Sequence, residues 1–201
     1  MTIALPAAPA QAPRRQILVA TAMASASAFM LIIGMVAIWL KFRAGAPTRS
    51  SSDGLKIIKD WMPAGITIPE VAANVMLITF PVGALMAQWA AYSAKRDDAP
   101  HRSLALAICF VMGLAIVNAQ IAVYSQMNIG LADGQFQTMF YAITGTVLLL
   151  VVGAMVFSLV AFFRSVGGRD NDTDVVNAHA FYWYFLTAAF SVVWFVVYVQ
   201  K

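Results

Sequence analysis

The side chains of this 201-residue sequence that could do chemistry are few and scattered. A haem or copper centre inside a membrane bundle needs several imidazole or thiolate ligands facing one another. The chain offers His101, His179 and Cys109. His101 falls in a charged loop and His179 near the start of the last apolar segment, so the two are expected at an interface, solvated or singly hydrogen-bonded, and not as paired ligands. Cys109 lies alone in an apolar run, which excludes an internal disulfide framework. Asp170, Asp172 and Asp174 have the spacing of the first ligands of a calcium loop, but Val175 stands where that loop needs Gly and Phe181 where it needs a bidentate Glu. A solvated loop that caps the last helix through Thr173 or Asp174 is the expected reading.

The uncharged polar residues within apolar segments are Asn74, Gln88, Asn118, Gln120 and Thr144. Such residues ordinarily hydrogen-bond between helices. Asn118 and Gln120 are two apart and point to nearly opposite helix faces. Gln120 and Tyr124 are four apart and share a face, with Gly113 and Ile116 continuing the same stripe, so this stripe is expected to be an interhelical seam. No nucleophile-base pair, paired carboxylates or phosphate-cradling Gly-rich loop is evident, and catalysis within the chain is not expected.

These residues are held by elements that composition already defines. The chain is 61% hydrophobic and 11% charged, with a mean hydropathy of +0.77. A soluble domain of this size could not hide that much apolar surface, so the solvent is lipid. Five segments are long enough to cross a bilayer, about Ile17 to Leu40, Ile68 to Ser93, Leu104 to Tyr124, Phe136 to Phe163 and Val176 to Val199. The fold class is therefore all-α, a polytopic bundle of five transmembrane helices in one domain over 17–201, preceded by a Pro- and Ala-rich tail over 1–16 expected to be disordered. Arg14 and Arg15 ahead of an apolar run imitate a signal peptide, but that run continues to Trp39 and reads as a span. Ala20, Ala24 and Ala28 recur every four residues and would let another helix approach closely. Pro81 should kink the second helix, as a packing device.

Between the first two spans, Ser52-Asp53 followed by Leu55, Ile58 and Met62 suggests a short capped amphipathic turn, with Trp61 at the headgroups. Lys95, Arg96 and Arg102 mark the second loop as cytoplasmic, whereas 126–135 has no Lys or Arg, so the N-terminus is expected inside. The first loop, with Lys41, Arg43, Arg49, Lys56 and Lys59, votes the other way. The net charge of +4 lies in tails and loops and not in a groove, which argues against nucleic-acid binding.

Several local motifs resemble subunit III of the haem-copper (cytochrome c) oxidases in its short, five-helix bacterial form. Gly113, Ile116, Gln120, Val123 and Tyr124 follow the third-helix pattern. Met139-Phe140-Tyr141-Ala142-Ile143-Thr144-Gly145 is similar to the Phe-Tyr-x-x-Thr-Gly element, Phe181-Tyr182-Trp183-Tyr184-Phe185 to Tyr-Trp-His-Phe, and Trp194 and Tyr198 to the aromatic end. The match is divergent. Family histidines fall on Val147, Leu150 and Tyr184, an aspartate on Thr187, and glutamates on Asn177 and Val123. The intramembrane ionisable groups are thus lost while the packing pattern is kept.

The resemblance implies a non-catalytic, stabilising subunit packed on subunit I, with subunit II and membrane lipid as further neighbours. Haem and copper would then lie in the partners and none in this chain. It also implies a bacterial plasma-membrane location with the N-terminus cytoplasmic. Gly113, Gln120, Tyr124, Tyr141, Thr144, Gly145, Trp183 and Trp194 are the expected interhelical or intersubunit packing residues. A subunit III-like partner of a nitric oxide reductase shares this pattern. A small transporter or lipid-binding protein using the Gln120 and Tyr124 face is the reading from another class.

Overall fold

A computed structural model describes residues 15–50, 57–63, 65–131, 133–168 and 173–200. Five long helices account for most of them: α1 (Gln16–Gly45), α2 (Glu70–Ala94), α3 (Ala99–Met127), α4 (Gln135–Val166) and α5 (Thr173–Val193), the last continuing as a π-helical segment, Trp194–Val199. At about 1.5 Å per residue, even the 21 residues of α5 reach across a hydrocarbon core about 30 Å thick. All five are apolar enough as well as long enough to span. Met30, Val71, Ile78 and Leu149 are exposed on their outer faces, as expected where lipid is the solvent. The chain is a multi-pass membrane protein.

Helix ends follow local chemistry. Asp97, at φ 55°, and Asp98 turn the chain sharply between α2 and α3. Asp98 caps α3 by accepting the His101 N–H at 3.3 Å, with Pro100 in the first turn. The short turn makes α2 and α3 antiparallel neighbours, and they share the most extensive helix–helix contact in the bundle. The buried face of α2 is built largely from small residues, among them Gly83, Ala84, Ala87, Ala90, Ala91 and Ala94, which let backbones approach. The Cys109 thiol of α3 reaches the Gly83 carbonyl of α2 at 3.6 Å. At its other end α3 stops at Asn128, whose left-handed conformation closes the last turn through its N–H to the Tyr124 carbonyl.

α5 packs against α1, α2 and α4. α1 is the least embedded helix, burying only Ser25, Ile32, Val36 and Trp39. Its Ala20 and Ala24 are exposed, so the close approach expected there is not made within this chain, whereas Ala28 is partly buried against the core.

Three expectations need correction. In the first loop, Ile57–Lys59 is not part of a helical turn but a strand, β2, paired antiparallel with β1 (Thr48–Ser50). The ladder satisfies backbone groups that a lone turn would leave open. Ser52, Asp53 and Leu55 lie outside the described residues. Trp61 turns inward, not outward. It is buried against Trp39 at 5.2 Å and Phe136 at 5.8 Å, edge to face in both cases, and this aromatic contact fixes the loop to the bundle. Arg102 is not a loop residue. It lies in the first turn of α3, buried, with Nε donating to Ser165 Oγ of α4 at 2.7 Å.

Candidate functional site

The stripe on α3 faces inward as its spacing predicts: Gly113, Ile116 and Gln120 are buried and Tyr124 is half-buried, while Asn118 faces outward. Gly113 is where Met155 of α4 packs; a Cβ there would overlap Met155 Cγ. Two turns further, Tyr198 in the π-helical segment donates to Gln120 Oε1 at 3.1 Å, joining α5 to α3. Thr144 Oγ1 donates its single proton to the Phe140 carbonyl at 2.6 Å. It therefore accepts from the Tyr124 hydroxyl at 2.8 Å, which joins α3 to α4. Tyr141 packs against Tyr124, the rings tilted with centroids 4.9 Å apart, and donates to the Ile129 carbonyl at 2.9 Å. Trp194 reaches α2, its Nε1 donating to Asn74 Oδ1 at 3.2 Å. Four helices are thus tied at one end of the bundle by neutral hydrogen bonds between residues that the sequence singled out. Gly145 is different, because a Cβ there would meet nothing within 4 Å.

A second polar cluster, near the other end of the bundle, was not expected. His179 is fully buried, not solvated. Its Nε2 lies 2.7 Å from Ser158 Oγ of α4 and accepts the Trp183 indole N–H at 3.1 Å. Since indole can only donate, Nε2 carries the lone pair and the imidazole is neutral with its proton on Nδ1. Trp183 lies with its benzo ring against Gly83 of α2, where a Cβ would overlap it. Ser158, His179, Trp183 and Gly83 therefore knit α4, α5 and α2 together. The i, i+4 spacing of His179 and Trp183 was visible in the sequence, but Ser158 comes from another helix and nothing in its neighbourhood marked it.

Ser158 and His179 have the separation of a nucleophile and its base, yet they cannot serve as one. Ser158 has one proton with two acceptors in reach, His179 Nε2 and the Ala154 carbonyl at 2.8 Å, no group among the described residues orients Nδ1, and both residues are 0% exposed, out of reach of a substrate. His101 is far more exposed and pairs with Asp98 at 2.7 Å. Its side-chain and then its backbone hydrogen bond hold the Asp98 carboxyl below the ordinary 3.8. The two histidines thus have separate partners in separate surroundings. Among the described residues no three His, Cys, Asp or Glu side chains converge as a metal site would require, while Asp170 and Asp172 lie outside those residues. Asp174 reaches beyond its own helix: its Oδ2 accepts the Ile17 N–H at the start of α1, at 3.0 Å. Of the positions matched to family ionisable groups, Tyr184 is exposed and Leu150 and Asn177 are half-buried. Val123 and Val147 are buried, and the single proton of the Thr187 hydroxyl lies within reach of both the Phe80 and Trp183 carbonyls.

Fold and site define a class, a polytopic membrane bundle whose interior polar groups join helices. Comparison with known proteins then gives the family. The sequence matches the family described as "Cytochrome c oxidase subunit III" over residues 18–201, and the chain belongs to that family. It is similar to cytochrome c oxidase subunit 3 of Bos taurus, 28% identical over 148 residues that cover 70% of this chain and 54% of the relative. The corresponding proteins of Tragelaphus imberbis and Damaliscus lunatus are 27% identical with the same coverage. The chain spans about half the length of the curated relatives it matches.

Proposed function

We propose that this chain is a non-catalytic, stabilising subunit of a haem-copper terminal oxidase, packed on subunit I with subunit II and lipid nearby, in a bacterial plasma membrane with its N-terminus cytoplasmic. Haem and copper belong to the partners in this reading; His101 and His179, with their separate partners, do not fit as ligands to such a group. Family membership is the observation that carries the reading. Ala20, Ala24 and Gly34 of α1 support it, because they are small exposed residues that no described helix of this chain covers, as does Gly145 of α4, where a Cβ would meet nothing within 4 Å. Purification of the native complex in mild detergent tests the reading. The chain is expected to co-migrate with a haem- and copper-bearing polypeptide, and a chain that never does so refutes it. Orientation is checked by labelling single cysteines placed at Lys95 and Gln126 from either side of the membrane.

A further inference from the structure

At the end of the bundle opposite the Trp61 cluster, a groove of about 430 Å³ runs between the start of α1, the end of α2 and the start of α5. Two cations stand at its mouth, Arg15 ahead of α1 and Lys95 just past α2. Both are exposed, and neither side chain has a partner among the described residues. Asp174 is the one carboxylate that lines the groove among those residues, and its Oδ2 is already engaged by the Ile17 N–H at 3.0 Å. Both α1 and α5 begin here, so the positive ends of two helix dipoles add to the field of the cations. The mouth of the groove is therefore net positive.

Below the cations the lining changes. Gln88 comes seven residues before Lys95 on α2, which places it about 10 Å deeper in the apolar layer. Its Oε1 accepts the Tyr184 hydroxyl at 3.2 Å, and both residues are exposed on the outer surface of the bundle. The Gln88 amide keeps its two N–H donors uncommitted among the described residues, at a depth where water does not satisfy them. Asn177, half-buried on α5 between Asp174 and Tyr184, adds a second amide without a partner among those residues, and Leu18 and Phe181 supply an apolar wall. Asn177 and Tyr184 stand where the family pattern carries a glutamate and a histidine. A carboxylate at 177 would repel an anion held at this mouth, whereas the amide can donate to one.

We propose that this groove binds one anionic phospholipid, its phosphate between Arg15 and Lys95, an ester carbonyl on the Gln88 amide and an acyl chain along Leu18 and Phe181. A free phosphate would find the same cations but would leave Gln88, Tyr184 and the apolar wall without an occupant. A phospholipid fills both levels. On the proposed orientation the groove opens on the cytoplasmic leaflet, where basic pockets between helices meet anionic head groups. The inference rests on the reading of the chain as a subunit with lipid nearby, and gives that lipid a place, a head-group charge and the residues that hold it.

Native mass spectrometry of the full chain, released from detergent micelles that hold equal amounts of phosphatidylglycerol and phosphatidylcholine, tests it. One phosphatidylglycerol is expected to stay bound in preference to phosphatidylcholine. Arg15→Gln and Lys95→Gln should each weaken its retention about fivefold, the contribution of one basic residue near an anionic membrane surface, and together about twenty-five-fold. Arg15→Lys and Lys95→Arg should keep it, Asn177→Glu should abolish the preference, and Lys41→Gln at the opposite end should change nothing. These positions are solvent- or lipid-facing or half-buried, and far-UV circular dichroism checks that each variant keeps its helices. Equal retention of the two lipids by the wild type, or retention that Lys95→Gln and Asn177→Glu leave unaltered, overturns the proposal. So does inorganic phosphate that binds as tightly as the lipid and is indifferent to Gln88→Leu, since the ligand would then be the free ion. Retention is scored on the chain itself, so its failure leaves co-migration with a haem-copper polypeptide intact, and failure to co-migrate leaves the lipid preference intact.

Discussion

Replacing Gly83 with alanine tests whether close helix approach holds this bundle together. A Cβ at position 83 would overlap Cζ3 of Trp183 and lie 2.7 Å from Cε3 and 3.0 Å from Cη2, well inside the 3.5–4.0 Å or so at which carbon atoms attract. Trp183 cannot swing aside, because it is fully buried and its indole N–H is held by His179. The remaining escape is for α2 and α5 to separate. That would disturb the Phe80–Phe190 stack, with centroids 4.5 Å apart, and the Thr187 bond to the Phe80 carbonyl at 3.2 Å. Overpacking of this kind costs about 1–3 kcal/mol, and each 1.4 kcal/mol is about tenfold in the folded-to-unfolded ratio.

Gly113→Ala is the matched control. Its Cβ would meet Met155, an unbranched side chain that can rearrange, so the cost should stay under about 1 kcal/mol. Both are measured by denaturant titration in mixed micelles, followed by far-UV circular dichroism. A double-mutant cycle with Trp183→Leu, which removes the ring, should show Gly83→Ala becoming nearly harmless, a coupling of about 1–3 kcal/mol. Wild-type stability for Gly83→Ala, or strict additivity with Trp183→Leu, would refute the packing argument.

Tyr198→Phe removes the hydroxyl that joins the π-helical segment to Gln120; the same titration should show a loss of about 0.6 kcal/mol and at most about 2, the range for hydrogen bonds between membrane helices. Trp61→Ala empties the centre of the Trp39, Phe42 and Phe136 cluster. Hydrogen exchange should quicken across the α1–α2 connection while the cores of α2 and α3 stay protected. Asp98→Asn should destabilise the α2–α3 turn at neutral pH. The Asp98 carboxyl is held below 3.8 in the fold, so its contribution is present above that value and fades as pH falls through the lower folded one. The stability difference between wild type and Asp98→Asn should accordingly be level from neutral pH down to the ordinary carboxylate range and vanish in stronger acid, as read by thermal melts at each pH.

The five spans were legible because each helix must satisfy its own backbone in lipid, and the need for an unbroken apolar run is a local property of the chain. The α3 stripe was legible too, since Gly113, Ile116, Gln120 and Tyr124 share a face through helical spacing alone. The hairpin was not. Pairing Thr48–Ser50 with Ile57–Lys59 joins segments separated along the chain, whereas the spacing of Leu55, Ile58 and Met62 favoured a helical turn.

The partners of the polar residues lay furthest from view. Periodicity places Gln120 on a buried face, but only the rotation of α5 and its π-helical end bring Tyr198 to it. Position in the chain suggested an interface for His179, yet α4 supplies Ser158 and covers the imidazole completely. The sequence by itself determined the solvent, the number of spans and which side chains are polar within them, because these depend on composition and local geometry. Tertiary structure decided which of those side chains meet, because an interhelical hydrogen bond depends on the relative rotation and depth of two helices, quantities that neither helix specifies alone.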